Sequence, residues 1–212
     1  MAYRAVLFDF DYTLGDSTNG IVACMDFAFE KMGCKKKSED AIKKTIGHRL
    51  QDAYVQLEQD ENKEKQELFK KYYLEKADQV MTDSAILYEG VIDMLKELKT
   101  KGMKLGVITT KQRYRVLDIL KKFNIKQYFD VTIGGDSVHK EKPDPEGIRL
   151  AMSMLKMEKE DILYVGDSLV DASTAKRAGV DFIAVLTGTT TKDEFIKYPY
   201  KQIIKDVSRM VV

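Results

Sequence analysis

Five short runs of strand-forming apolar residues, each ending on a small or polar residue, constrain this chain more than any other feature. Ala5-Val6-Leu7-Phe8 ends at Asp9, Leu105-Gly106-Val107-Ile108 at Thr109, and Val131-Thr132-Ile133 at Gly134-Gly135. Ile162-Leu163-Tyr164-Val165 ends at Gly166-Asp167, and Phe182-Ile183-Ala184-Val185-Leu186 at Thr187-Gly188. Runs that are apolar throughout, rather than at every second residue, fit strands covered on both faces, as in a parallel sheet. Between them lie segments with helical spacing: Val91, Met94, Leu95 and Leu98; Val116, Leu117, Leu120 and Phe123; Ile148, Ala151, Met152 and Leu155. Gly102 and Gly179 stand where a left-handed residue ends a helix, and Ala172, Ala175 and Ala178 suit close helix–sheet contact. Strand alternating with helix predicts a doubly wound α/β layer structure.

Residues 16–85 break this rhythm. They hold no convincing strand and read as helices over 18–32, 39–45, 49–59 and 62–80, with Glu61–Lys65 and Glu67–Lys71 as i, i+4 pairs on a solvated face. The predicted organisation is therefore a core of residues 1–15 and 86–212 interrupted by a helical insertion, 16–85. Thirty-five Lys and Arg balance 34 Asp and Glu, and no long basic block occurs, which argues against nucleic acid or an anionic membrane surface as partner. The apolar runs are far shorter than the roughly 20 residues of a bilayer span. Residues 1–11 lack a secretory h-region, and Cys24 and Cys34, about 15 Å apart if helical, are too far apart for a disulfide. A cytoplasmic location is the expectation. No oligomeric state is legible, and a monomer is compatible with everything here.

Ligands of open parallel sheets bind beyond the carboxyl ends of the strands. There the sequence places Asp9 and Asp11, Thr109 and Thr110, Lys142 in the loop after Gly134, and Asp167 with Asp171. Each has an ordinary explanation alone: a turn-forming aspartate, a strand-end hydroxyl, a loop lysine. Together they do not, because two like charges about 4 Å apart repel by about 4 kcal/mol at an effective dielectric near 20. Such a cluster holds protons or a cation, and hard oxygen donors suit Mg²⁺. A metal, an ammonium and hydroxyls suit a phosphate dianion, and a carboxylate can attack phosphorus to split one hard displacement into two. Asp9 and Asp11, at i and i+2 of an extended segment, can face the same phosphate.

In order and spacing these residues resemble the haloacid dehalogenase superfamily of phosphohydrolases. Asp9-Phe10-Asp11-Tyr12-Thr13 matches D-x-D-x-T, Thr109 ends the second motif strand, Lys142 precedes Pro143, and Gly166-Asp167-Ser168-Leu169-Val170-Asp171 matches G-D-x-x-x-D. The resemblance covers essentially the whole chain and implies a Rossmann-like core with helices on both faces of a parallel sheet. It implies Asp9 as nucleophile and Asp11 as acid and then base. Thr109, Thr110 and Lys142 would hold the phosphoryl group. Mg²⁺ would lie between Asp9, the Asp11 carbonyl and Asp167, with Asp171 as ligand or support. Two departures stand out: Tyr12 occupies a position most often Gly, and Thr110 one often Asn. The insertion resembles a C1-type helical cap, a lid that excludes water. Thr45-Ile46-Gly47-His48-Arg49 and Gly134-Gly135-Asp136 resemble the phosphoglycolate-phosphatase-like branch. His48 and Arg49 are candidate cap contacts to substrate, against the plainer reading of a helix-start arginine and a capping or solvated histidine. Lys111 and Arg113 are further candidates, opening the next helix beside the rim.

The implied function is Mg²⁺-dependent hydrolysis of a small phosphorylated metabolite. The alternatives are a sugar-phosphate mutase or a pyrophosphatase on the same scaffold, a dehalogenase attacking carbon, and a phospho-accepting receiver module. The receiver is disfavoured because its phosphorylated Asp ends a later strand and it lacks the insertion. The dehalogenase is disfavoured because Asp11 is kept alongside Lys142 and Asp171. A catalytically idle scaffold is disfavoured because every chemical position is filled.

Overall fold

The computed structural model describes residues 3–211. The chain runs β1 (Ala5–Phe8), β2 (Gly15–Asp16), α1 (Thr18–Lys31), α2 (Glu39–Lys43), α3 (Leu50–Glu58), α4 (Lys63–Ser84) and β3 (Ile86–Leu87). It continues through α5 (Val91–Thr100), β4 (Lys104–Ile108), α6 (Arg113–Lys122), β5 (Val131–Ile133), α7 (Glu146–Leu155) and β6 (Ile162–Gly166). It ends with α8 (Leu169–Ala178), β7 (Asp181–Val185), α9 (Lys192–Phe195) and β8 (Gln202–Ile204). Six strands form one sheet in the order β5-β4-β1-β6-β7-β8, and every neighbouring pair is parallel. Strands β2 and β3 make a separate two-stranded sheet. The chain divides into two compact units, Met1–Asp16 with Leu87–Val212 and, separately, Ser17–Ile86.

In the first unit the order reverses beside β1: β4 and β5 are laid to one side of it, β6, β7 and β8 to the other. Right-handed crossovers then put α5 and α6 on one face of the sheet and α7 and α8 on the other. Alternation along the strands agrees. Ala5 and Leu7 of β1, Ile162 and Tyr164 of β6 and Phe182 and Ala184 of β7 share a core with Ile148 and Ala151 of α7 and Ala172 and Ala175 of α8. The intervening Val6, Phe8, Leu163 and Val165 point the other way and are equally buried. Central β1 is apolar throughout because both of its faces are covered. Gly106 of β4 is glycine for space: a β-carbon there would lie 2.6 Å from both Leu7 Cδ2 and Val131 Cγ2.

Several expectations shift in detail. The strand expected over Phe182–Leu186 is Asp181–Val185, leaving Leu186 outside and partly exposed. On α6 the buried face is Arg115, Val116, Ile119 and Leu120, turned from the expected stripe so that Leu117 lies only half-buried. Strand β8 was not anticipated; its Gln202, Ile203 and Ile204 are half-buried on the sheet edge, held by backbone pairing to β7. Gly102 and Gly179 do adopt positive φ, +75° each, Gly179 directly after α8 and Gly102 one residue past the end of α5, after Lys101.

The second unit is helical, as its pattern predicts. Asn62 caps α4 by accepting the Lys65 N–H at 3.0 Å, and Ser38 caps α2 by accepting from Ala41. Because Glu61 precedes that cap, it lies outside the helix, and Lys65 Nζ pairs instead with Asp60 at 2.7 Å. Glu67 accepts from Gln51 Nε2 at 2.9 Å. The interior is an aromatic stack: Phe69 of α4 lies 4.9 Å from Phe29 of α1 and 5.4 Å from Tyr54 of α3 between ring centroids. Cys24 and Cys34 are free thiols, and Cys34 follows the turn after α1 at Gly33 rather than extending the helix. Among the described residues no helix is long and apolar enough to cross a membrane.

Phe69→Ala is expected to cost about 3–5 kcal/mol of stability, the usual range for emptying a buried aromatic site. Urea denaturation followed by circular dichroism measures it; a loss below about 1 kcal/mol would show that this stack does not hold the helices together.

Candidate active site

The reversal in strand order beside β1 opens the crevice in which ligands of such sheets bind, and four strand ends deliver their side chains there. Asp9 follows β1 directly, with its N–H donating to the Val165 carbonyl of neighbouring β6 at 2.9 Å. Thr109 follows β4, Asp167 follows β6, and Asp171 lies in the first turn of α8. Lys142 comes from the long connection between β5 and α7, one residue before a cis proline, Pro143. All five are buried.

At the centre is the Lys142 ammonium. Its Nζ lies 2.8 Å from Asp9 Oδ1 and 2.7 Å from Asp171 Oδ1, and donates to the Tyr164 hydroxyl at 3.3 Å. The Tyr164 hydroxyl in turn donates to Asp171 Oδ1 at 2.8 Å. The other oxygen of Asp171 accepts from the backbone N–H and the hydroxyl of Ser168, while the Ser168 hydroxyl caps the Asp171 N–H at 3.2 Å. Both oxygens of Asp171 are thus engaged by protein donors. Its part is to anchor Lys142 and the start of α8, which favours support over direct ligation among the two readings.

One carboxylate oxygen each from Asp9, Asp167 and Asp171 lies within 4.8 Å of the others. Burial pushes the Asp9 carboxyl up to about 7, against the pull of Lys142, with Asp171 and Asp11 adding repulsion. Burial likewise pushes Asp167 well above the usual carboxylate range, reinforced by Asp171 and Asp9. Burial works against the charge on Lys142, yet Asp171 and Asp9 hold it above the ordinary lysine value. The hard oxygen donors of Asp9 and Asp167, in a cluster with more negative charge than one ammonium offsets, are a fit for a divalent cation.

Asp11 stands two residues from Asp9 and takes a different partner. Its Oδ2 meets Lys111 Nζ at 2.7 Å with both side chains nearly covered, while its Oδ1 is buried with no hydrogen-bond partner among the described residues. An ionised carboxylate is only an acceptor, so that oxygen is where a proton from substrate or water can be received. The turn after it depends on Tyr12, whose φ of +57° is left-handed, an uncommon conformation for a bulky residue. Tyr12 is held by its N–H to Gly15 O at 2.7 Å and by the Thr187 hydroxyl donating to its carbonyl. Glycine, which the resembled motif most often carries here, adopts such a φ without strain; this chain builds the same turn with a tyrosine.

The remaining candidates separate. The Thr109 hydroxyl accepts the Lys111 N–H at 3.2 Å, beside Asp9 and Asp11 at the same sheet edge. Thr110 is half-buried, and its carbonyl packs so close to Gly135 that a β-carbon there would approach it to 2.7 Å. Arg113 turns away from the acids, donating through Nε to the Thr132 carbonyl at 3.0 Å, with its N–H capped by Asp136 at 2.7 Å. His48 and Arg49 belong to the helical unit, where Asp52 accepts from Arg49 Nε and Nη2 at 2.7 and 2.6 Å. Two residues stood unmarked by sequence reasoning. Tyr164 looked like any strand aromatic, and its one signal was a hydroxyl in an otherwise apolar run. Gly188 packs against Asp167, and its signal was only that a strand ended beside it.

With Asp9 buried at a value near 7 against an ordinary 3.8, the folded protein binds this proton more tightly than the unfolded chain does. Stability from that group is present below pH 4 and is lost as pH rises through 7. In chelator-treated protein, Asp9→Asn is therefore expected to raise stability at pH 8 by on the order of 2 kcal/mol, with the gain vanishing towards pH 4. Thermal melts across that range decide it, and a gain that is flat in pH would refute it.

The comparisons with known proteins agree with this geometry. The profile of the haloacid dehalogenase-like hydrolases matches residues 6–185. Pyrophosphatase PpaX of Bacillus pumilus is 30% identical over 98% of this chain and 94% of its own length. Phosphoglycolate phosphatase of Salmonella typhi is 32% identical over 87% of this chain and 82% of its own. A solved structure from Bacteroides fragilis, described as a haloacid dehalogenase-like hydrolase, superposes with a TM-score of 0.96 at 42% identity, covering 99% of this chain and all of that one. The four motif positions, the sheet that gathers them and these relatives together place this chain in the haloacid dehalogenase-like hydrolase family.

Proposed function

We propose that this protein is a Mg²⁺-dependent phosphatase that hydrolyses small phosphomonoesters through an aspartyl phosphate on Asp9. The observation that carries the reading is the Lys142 ammonium seated between Asp9 and Asp171, with Asp167 alongside. In the first step an Asp9 carboxylate oxygen attacks phosphorus in line while Asp11 protonates the departing ester oxygen. In the second, Asp11 takes a proton from the water that attacks the acyl phosphate, which regenerates Asp9 and releases inorganic phosphate. Lys142 and the Thr109 hydroxyl bind the phosphoryl oxygens, and Lys111 neutralises Asp11 between these protonation states. Thr110, at the same strand end, is a further phosphate contact.

Mg²⁺ held by Asp9, the Asp11 carbonyl and Asp167 would offset phosphate charge in the transition state. Units Met1–Asp16 with Leu87–Val212 and Ser17–Ile86 are read as catalytic core and cap; the cap reading rests on the insertion's position between the first and second motifs. Cap residues His48 and Arg49 are candidates for contacts to the substrate's leaving group. The substrate class is a small soluble phosphate such as 2-phosphoglycolate, another short organic phosphate, a nucleotide or pyrophosphate, in keeping with the names of the two curated relatives. The two free thiols fit a reducing, cytoplasmic setting.

Phosphate release from a panel of such metabolites, with hexose 1-phosphates included, tests this. Activity is expected to vanish with chelator and to fall at least about 10⁴-fold in Asp9→Asn, as removal of a nucleophile does. Asp11→Asn should lose about 10²–10⁴-fold, the usual worth of one acid–base group. Activity that survives in Asp9→Asn would exclude the covalent route, and an isomer in place of inorganic phosphate would assign a mutase.

A further inference from the structure

The loop leaving β7 carries none of the four motifs, yet it touches two of them. The Thr187 hydroxyl donates to the carbonyl of Tyr12, the left-handed residue that shapes the turn after Asp9 and Asp11. One residue on, the Gly188 backbone lies against Asp167. A β-carbon at 188 would stand 2.0 Å from Asp167 Oδ2, 2.9 Å from its Cγ and 3.1 Å from its Cβ. Rotation of the carboxylate tip alone does not relieve such an overlap; the whole side chain must swing away. On its other side Asp167 Oδ1 accepts from the Thr13 hydroxyl at 3.4 Å, a long bond that fixes it weakly. The packing of Gly188 is therefore the tighter of the two restraints on where this carboxylate points. The carboxyl end of β7 thus bridges the turn after β1 and the aspartate after β6.

We propose that Thr187 and Gly188 are positioning residues for the divalent-cation site, holding the Asp9–Tyr12 turn and the Asp167 carboxylate at the mutual spacing that lets them share one ion. This rests on the reading of Asp9 and Asp167 as cation ligands. It goes beyond that reading by assigning the spacing to a segment outside the four motifs. Glycine is required at 188 because the carboxylate occupies the volume of any side chain. The hydroxyl at 187 supplies the Tyr12 carbonyl with a side-chain donor from across the fold, which ties the loop after β7 to the turn after β1.

The test measures cation binding directly, by Mn²⁺ electron paramagnetic resonance and by the rise in melting temperature on adding Mg²⁺, beside activity against Mg²⁺ concentration. Gly188→Ala is expected to weaken Mn²⁺ binding by at least 10-fold and to raise the Mg²⁺ concentration for half-maximal activity in proportion. Its metal-free melting temperature should stay within a few degrees of wild type. Thr187→Val, nearly isosteric, is expected to weaken binding about 3- to 10-fold with the substrate KM little changed, and Thr187→Ser to restore it. Should Gly188→Ala fail to fold, the Val and Ser pair at 187 decides alone. Wild-type Mn²⁺ affinity in both Gly188→Ala and Thr187→Val, with binding abolished in Asp167→Asn, would overturn the proposal while leaving the metal reading intact. Absence of any cation response in wild type would overturn both.

Discussion

Everything at the sheet's carboxyl edge depends on one buried ammonium. Lys142 touches Asp9 and Asp171 at under 3 Å, and without it three buried carboxylates would face one another with no ammonium between them. A buried charge left without its partner costs about 3–5 kcal/mol, so the carboxylates do not tolerate the loss of Lys142, whereas Lys142 keeps Asp171 even when Asp9 is neutralised. The geometry around it follows from that constraint. Tyr164 and Ser168 saturate Asp171 with hydrogen bonds, which leaves Asp171 a fixed anchor. Lys142 is then held where it can address a second carboxylate, and that carboxylate is Asp9.

The parallel sheet is what makes this possible from distant parts of the chain. Asp9, Thr109 and Asp167 are neighbours because β4, β1 and β6 are neighbours, and all three strands end at the same rim. Lys111 then meets Asp11 from the β4 side, which leaves the two acids two residues apart with different cationic partners. Asp9 shares Lys142 with another carboxylate under full burial, whereas Asp11 has a lysine to one oxygen and an open acceptor on the other. Different environments for otherwise identical side chains are how such a site assigns them different work.

Much of this was legible from residue order. The five apolar runs became five strands of the large sheet because burial on both faces leaves no room for alternation, a strong local signal. The catalytic candidates Asp9, Asp11, Thr109, Lys142, Asp167 and Asp171 were legible because strand-end acids in a parallel fold converge. Strand β8 was not, since three half-buried edge residues carry no periodicity and the pairing that makes them a strand lies in the backbone. Arg115 carried no signal of its place in the sequence, since a charged residue on a helix is ordinarily solvent-facing, yet it is 4% exposed, with Nη2 donating to the Tyr114 hydroxyl at 2.8 Å. Thr187 and Gly188 escaped notice because a threonine and a glycine after a strand are ordinary turn formers. Their meaning lies in what they meet across the fold.

The helical unit closes its own interior with Phe29, Tyr54 and Phe69, and it enters and leaves the core sequence at adjoining points, Asp16 and Leu87. A segment spliced in this way behaves as a cassette. Two interiors are kept in one chain, and a substitution that empties one of them is met first by the elements that surround it.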